Sequence, residues 1–100
     1  METKLTNVKD NEFLRQLEAT YEDKLVTMEY SVHPRNIFLT KIVMDEDLIE
    51  KGYDIIFMKN IFNYFKENNI KVVPNSPKIV SFFRKNRKMY KELLPTGISI

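Results

Sequence analysis

One hundred residues make a single domain with one modest core, and a chain that is 43% apolar and 12% aromatic has a globular composition. It contains no cysteine and one histidine, His33. That excludes disulfide frameworks, thiolate zinc sites and cysteine nucleophiles, and a single histidine argues against His-based metal clusters and Ser-His-Asp triads within the chain. The net charge of +2 conceals a split: residues 1–50 carry 6 basic and 11 acidic side chains, net −5, and residues 51–100 carry 10 and 3, net +7. An anionic partner for the C-terminal half would explain that asymmetry.

The opening "METKLTNVKDN" has charges but no apolar h-region, so no signal peptide is expected. The longest apolar run, Ile55 to Met58, is far short of a membrane span. The expectation is a cytoplasmic protein without membrane contact. Residues 11–21, "NEFLRQLEATY", fit a helix face through Phe13, Leu17 and Tyr21. They also fit a strand, with Phe13, Arg15, Leu17, Ala19 and Tyr21 on one side. The following "LVTMEYSV" decides for a hairpin, because Val26, Met28, Tyr30 and Val32 alternate with polar residues across a Glu22-Asp23 turn. "HPRN", His33 to Asn36, is a second turn with Pro34 favouring it, and His33 is read as a solvated turn residue. "IFLTKIVM", Ile37 to Met44, is apolar on both faces and therefore predicted as a central strand. The acidic "DEDLIEKG" is predicted as a loop ending at Gly52.

From Asp54 the period changes. Ile55, Met58, Ile61, Phe62 and Phe65 form one stripe, predicting a helix over 54–68 with Asn68-Asn69 as its stop. "IKVV" is a short strand, and a second helix runs from Pro77 to about Tyr90. The predicted order is β-β-β-α-β-α, an α+β domain over residues 1–100 with a mostly antiparallel sheet and two covering helices.

Two junctions carry the chemistry. Gly52, flanked by Glu50 and Asp54, precedes a helix whose first-turn amides lack internal partners and attract anions. The residue-level alternative is a plain Gly turn with Asp54 capping the helix. In "VVPNSP", Val72 to Pro77, Pro77 suits the first helical position. Ser76 is predicted as an N-cap whose hydroxyl accepts a backbone N–H. "RKNRK", Arg84 to Lys88, with Lys78 and Lys91, is the densest basic cluster. Nucleic-acid binding asks for exposed aromatics beside such a cluster, whereas the spacing of Phe82 and Phe83 fits the core.

A strand, a Gly-containing loop, a helix, "NNIKVVPNSP" and then "FFRKNRKMYKELL" resemble the small single-domain N-acetyltransferase-like proteins, a minimal branch of the GNAT superfamily. The resemblance covers about Asn7 to Leu94 and is clearest from Lys71 onward. There an "ENGLKVVP-x-CP" segment of the family corresponds to Asn68 to Pro77, and a closing tyrosine, acidic residue and leucine correspond to Tyr90, Glu92 and Leu93 once one residue is inserted. It implies a minimal GNAT-like acyl-CoA N-acyltransferase fold with acetyl-CoA as cofactor and an amine as acceptor. The cofactor would lie where Ile37–Met44 splays from Lys71–Val73. Its thioester carbonyl would meet the backbone at Ile42 and Val43, and its pyrophosphate the amides of Lys51, Gly52, Tyr53, Asp54 and Ile55. Ser76 would face the acyl end. A Cβ at Gly52 would obstruct the loop.

The family's "EGxGxGS" loop falls on Ile49 to Ile55, where Glu50 and Asp54 replace the outer glycines and are expected to repel a pyrophosphate. The family's "HT" pair is Leu39-Thr40 here, and its cysteine is Ser76. No metal is implied. The alternatives are a catalytically degenerate GNAT-like interaction module and a weak nucleic-acid binder using the basic half. Glu29, Tyr30 and Tyr90 have the chemical type of a general base. An exposed edge strand makes either a monomer or a dimer compatible with the sequence.

Overall fold

A computed structural model gives the structure of residues 8–34 and 36–98. Most of the charged leader, with Arg35 of the "HPRN" turn, lies outside these described residues. Strands β1 (Lys9–Asn11), β2 (Gln16–Tyr21), β3 (Lys24–Val32), β4 (Ile37–Val43) and β5 (Val72–Pro74) form one sheet in sequence order. The first four are antiparallel and β5 joins β4 in parallel. Four helices follow the meander: α1 (Glu46–Glu50), α2 (Tyr53–Glu67), α3 (Pro77–Lys85) and α4 (Arg87–Tyr90), closed by a 3-10 turn at Lys91–Leu93. Among the described residues the fold is α+β with a mixed five-stranded sheet, and four helices stand where two were expected.

The β2–β3 turn is as short as a hairpin turn can be. Tyr21 pairs with Lys24, and Glu22 and Asp23 both take positive φ, 50° and 64°. That backbone matches the right-handed twist of the strands it joins. Leu17, Ala19, Val26, Met28, Tyr30 and Leu39 face the helices and are buried. Across from them Phe57, Ile61, Phe62 and Phe65 of α2 and Ile79, Phe82 and Phe83 of α3 complete one core. The other sheet face carries Gln16, Glu18, Thr20, Leu25, Glu29 and Ser31, exposed or half-exposed, with Thr27 buried among them. Helices therefore cover one face only.

Several sequence expectations need correction. The strand expected over 11–21 is broken: residues 12–15 turn, with Arg15 at φ 56° and the Leu14 N–H donating to Asn11 Oδ1 at 3.1 Å. Phe13 is thereby ejected from the Leu17 face and left 92% exposed. β4 is not the central strand; β3 is, and only Leu39 of β4 is fully buried. The acidic loop contains α1, whose single buried residue is Leu48. The second helix breaks at Asn86, where φ is −120° and the side-chain amide donates to the Phe82 carbonyl at 2.9 Å. That bond satisfies a carbonyl freed by the break.

The hairpin turn is tied to the region between β4 and α2 by charge. Lys51 Nζ sits 2.8 Å from Glu22, and Lys24 pairs with Asp45. Lys51 holds the Glu22 carboxyl below its ordinary range, and Lys24 does the same for Asp45. A carboxyl whose pKa is lowered by folding stabilises above its unfolded pKa, and that contribution is lost as pH falls through the folded one. Thermal melts should therefore show a midpoint that is flat near neutrality and falls below pH 4.5, the ordinary value for Glu22. Glu22→Gln should flatten that acid limb; an acid limb identical to the parent's would remove Glu22 from the account.

Candidate functional site

β5 pairs with β4 only through Ile37–Val72, Phe38–Val73 and Leu39–Pro74. Pro74 has no N–H to continue a ladder; the Asn75 N–H makes one more bond, to the Leu39 carbonyl at 2.9 Å. The chain then turns at Ser76 into α3. β4 continues for four residues, Thr40–Val43, with β3 on one side and, among the described residues, no strand on the other. Thr40 is a bulge on this stretch: Glu29 pairs with Lys41 and Tyr30 with Leu39, leaving Thr40 unpaired. Its hydroxyl donates to the Glu29 carbonyl at 3.0 Å. Bulges re-aim strands, and this one sits where the two strands part. Ile42 is half-buried and Val43 is 43% exposed on this open stretch.

Beyond β4 the chain passes through α1 to Gly52, the N-cap of α2, at φ 88° and ψ 10°. A Cβ built on Gly52 meets nothing within 4 Å, so the expected obstruction does not occur. What glycine supplies is the left-handed backbone itself, which a β-branched residue adopts only with strain. Of the amides from Lys51 to Ile55, three are already engaged. Lys51 N–H donates to Asp47 and Leu48 carbonyls and Gly52 N–H to Ile49 O at 3.0 Å. Ile55 N–H donates to Asp54 Oδ1 at 3.0 Å. No acceptor for the Tyr53 and Asp54 amides is found among the described residues, as the first turn of a helix requires.

The side chains at this junction divide. Lys51 reaches Glu22, and the Tyr53 ring packs 5.1 Å from Tyr21 with its hydroxyl on Glu22, which raises its pKa. Only their backbones remain at the junction. Asp54 and Ile55 instead line a groove of about 410 Å³ between α2 and α3. Ile55 supplies exposed apolar surface there beside the buried Met58 and Phe82, and Lys59, Lys78 and Lys85 supply charge. Asp54 is 8% exposed, and its Oδ2 is 2.9 Å from Lys78 Nζ. Its carboxylate is thus matched by Lys78 rather than left facing solvent, while Glu50 is exposed. Ser76 occupies the N-cap position of α3 with φ −149° and ψ 155°, but its hydroxyl makes no cap bond; only its backbone carbonyl accepts, from Val80 N–H at 2.8 Å. The predicted side-chain cap is therefore absent.

The sequence singled out Lys78 and Lys85 only as parts of a basic half, and passed over Lys59. Its signal was helical spacing: Lys59 is four residues from Ile55, as Met58 is from Asp54. Two of the three candidate bases are engaged in other ways. Tyr30 is 8% exposed, and its hydroxyl donates to Asp10 Oδ1 at 2.6 Å. Burial, then Asp10, pushes its pKa up. The Tyr90 hydroxyl lies 3.4 Å from Asn63 Oδ1, and burial raises it too. Phenols held protonated in this way do not accept protons near neutrality. Glu29 is half-buried on the helix-free face.

Among the described residues no group of three or more His, Asp or Glu side chains is placed to hold a metal ion. No helix among them is long and apolar enough to cross a membrane. No curated protein and no solved structure matches the chain. A family model described as GCN5-related N-acetyl-transferase matches residues 16–93, from the start of β2 to the closing 3-10 turn. A strand freed from its neighbour, followed by a helix N-terminus and a basic groove, is thus set within the boundaries of that match, and the chain belongs to the GCN5-related N-acetyltransferase family.

Proposed function

We propose that this chain binds acetyl-CoA along the open edge of β4 and the α2–α3 groove and passes the acetyl group to an amine. One observation carries the reading: β4 outruns β5 by four residues in the segment that leads to the first turn of α2. An extended, amide-rich ligand can bond to that free strand edge much as a strand does. Ile42 and Val43 would meet the acyl end, with Ser76 opposite. Tyr53 and Asp54 offer two unengaged amides to the pyrophosphate, within the Lys51–Ile55 turn that Gly52 makes. The groove fits such a ligand chemically, with lysines for phosphate and the exposed Ile55 for apolar contact.

Bound acetyl-CoA supplies an activated thioester. The chain's own residues hold it, orient it and bring the amine beside it, a proximity role. A proton must leave the attacking amine, and Glu29 or a water that reaches the bulge at Thr40 would take it.

A second reading, the same fold as a non-catalytic interaction module, is favoured by one observation: Asp54 puts a carboxylate at the terminus that a phosphate would use. Amide NMR titration with acetyl-CoA separates the two. Saturable shifts at Thr40–Met44 and Tyr53–Ile56 are expected. Their absence at millimolar ligand would end the cofactor reading and leave the module.

A further inference from the structure

Of the basic stretch after Phe83, Lys85 borders the proposed cofactor groove, whereas Arg84, Arg87, Lys88 and Lys91 lie outside it. A straight helix from Pro77 to Tyr90 would spread its cations along a ridge. The break at Asn86 instead folds them round a concavity of about 570 Å³ lined by Arg84, Lys85, Arg87, Lys88 and Lys91, together with Asn86 and Met89. Five of those seven residues are cationic and none is acidic.

The inner side of the same two helices is locked into the core. Phe82 and Tyr90 stack on Phe62 at 5.6 and 5.2 Å, and Phe83 is fully buried. The cations therefore stand on a fixed platform. None of Arg84, Lys85, Lys88 and Lys91 is in an ion pair among the described residues.

We propose that this concavity docks the phosphodiester backbone of nucleic acid, without reading its bases. Charge identifies an anionic partner, and three further observations select among anions. The bowl is concave, which suits a protruding strand of phosphates. Its one exposed apolar side chain is Met89, 53% exposed; an acidic protein partner needs apolar anchors at its centre, and a membrane-seeking face needs a larger apolar surface. Its neighbouring aromatics, Phe82 and Phe83, are buried at 4% and 0% exposure. Base stacking, the mark of single-strand binders, is therefore excluded, and recognition rests on phosphates alone.

The probe is a fluorescein-labelled 20-base-pair DNA duplex, in two unrelated sequences, titrated with the full chain by anisotropy from 50 to 200 mM salt. Four phosphate contacts imply a slope of log K on log salt of about −3.6, hence a loss of about 100-fold over that range. Both sequences should bind alike. Lys88→Gln with Lys91→Gln, at two exposed positions without an ion pair among the described residues, should bring the slope to about −2 and weaken binding at least tenfold. Saturating acetyl-CoA, whose proposed groove shares Lys85 with the bowl, should remove no more than that one phosphate contact from the slope. The proposal is overturned by no binding at 50 mM salt and 100 µM protein, by a double variant that binds like the parent, or by phosphatidylserine vesicles binding where duplex does not. Abolition of duplex binding by acetyl-CoA would also overturn it, by moving the duplex to the α2–α3 groove.

Discussion

Phe62→Ala is expected to lower the thermal midpoint by about 15–30 °C, or to unfold the domain outright. Phe62 is fully buried and is where the helical layer converges. Its ring lies 5.6 Å from Phe82, 6.0 Å from Phe83 and 5.2 Å from Tyr90, so one side chain from α2 holds both α3 and α4. Removing a core phenylalanine costs about 3–5 kcal/mol in lost burial and cavity. A domain of this size has only about 5–15 kcal/mol in total, and each kcal/mol moves its midpoint by about 4–8 °C. Because the basic platform and one wall of the groove hang on the same contacts, loss of near-ultraviolet circular dichroism should accompany the drop. Phe13→Ala is the matched control: at 92% exposure the same deletion should stay within about 0.5 kcal/mol. A Phe62→Ala protein that melts within about 5 °C of the parent would show that the aromatic stack does not anchor the layer.

That stack also marks where sequence reading succeeded and where it stopped. α2 was legible because Met58, Ile61, Phe62 and Phe65 recur at helical spacing over about two turns and are buried, although Ile55 of the same stripe is exposed and Phe57, left out of it, is fully buried. β3 was legible because Val26, Met28 and Tyr30 alternate cleanly beside polar neighbours. α1 was not, since five residues with one buried side chain, Leu48, leave no period to detect. The break at Asn86 lacks proline and glycine; its cause is the amide of Asn86 reaching back to Phe82 O, a local bond that competes with helix continuation. Phe13 obeyed the strand alternation and still left it, because Asn11 captures the Leu14 N–H. At the candidate site, Gly52 and the helix after it were readable as a junction. The groove was not, because Lys59 and Lys78 are neighbours only through the packing of α2 against α3. The pairing of Asp54 with Lys78 is likewise a tertiary fact, and it changes what the sequence implied about charge at the loop.

Asp54→Asn is expected to tighten acetyl-CoA binding by about tenfold or more at low salt. The carboxylate of Asp54 already does for the α2 terminus what a phosphate would do: one oxygen accepts the Ile55 N–H at 3.0 Å and the other meets Lys78 at 2.9 Å. Asp54 thus acts as an internal counter-anion, favoured by the helix dipole. Any pyrophosphate approaching the free amides of Tyr53 and Asp54 meets that negative charge and loses the service of Lys78. Two unit charges about 5 Å apart at an effective dielectric of about 20 interact by roughly 3 kcal/mol; solvent at the groove mouth reduces this, and about tenfold is what remains. Asparagine is the informative replacement because its side-chain oxygen can still accept the Ile55 N–H, so the turn is kept while the charge is removed. Lys78→Gln should act in the opposite sense, leaving Asp54 uncompensated. Calorimetry with acetyl-CoA and with pantetheine, which lacks the pyrophosphate, separates charge from shape. The gain should appear for the first ligand and vanish for the second. An equal gain for both would assign the effect to groove opening, and no gain for either would place the pyrophosphate away from the α2 terminus.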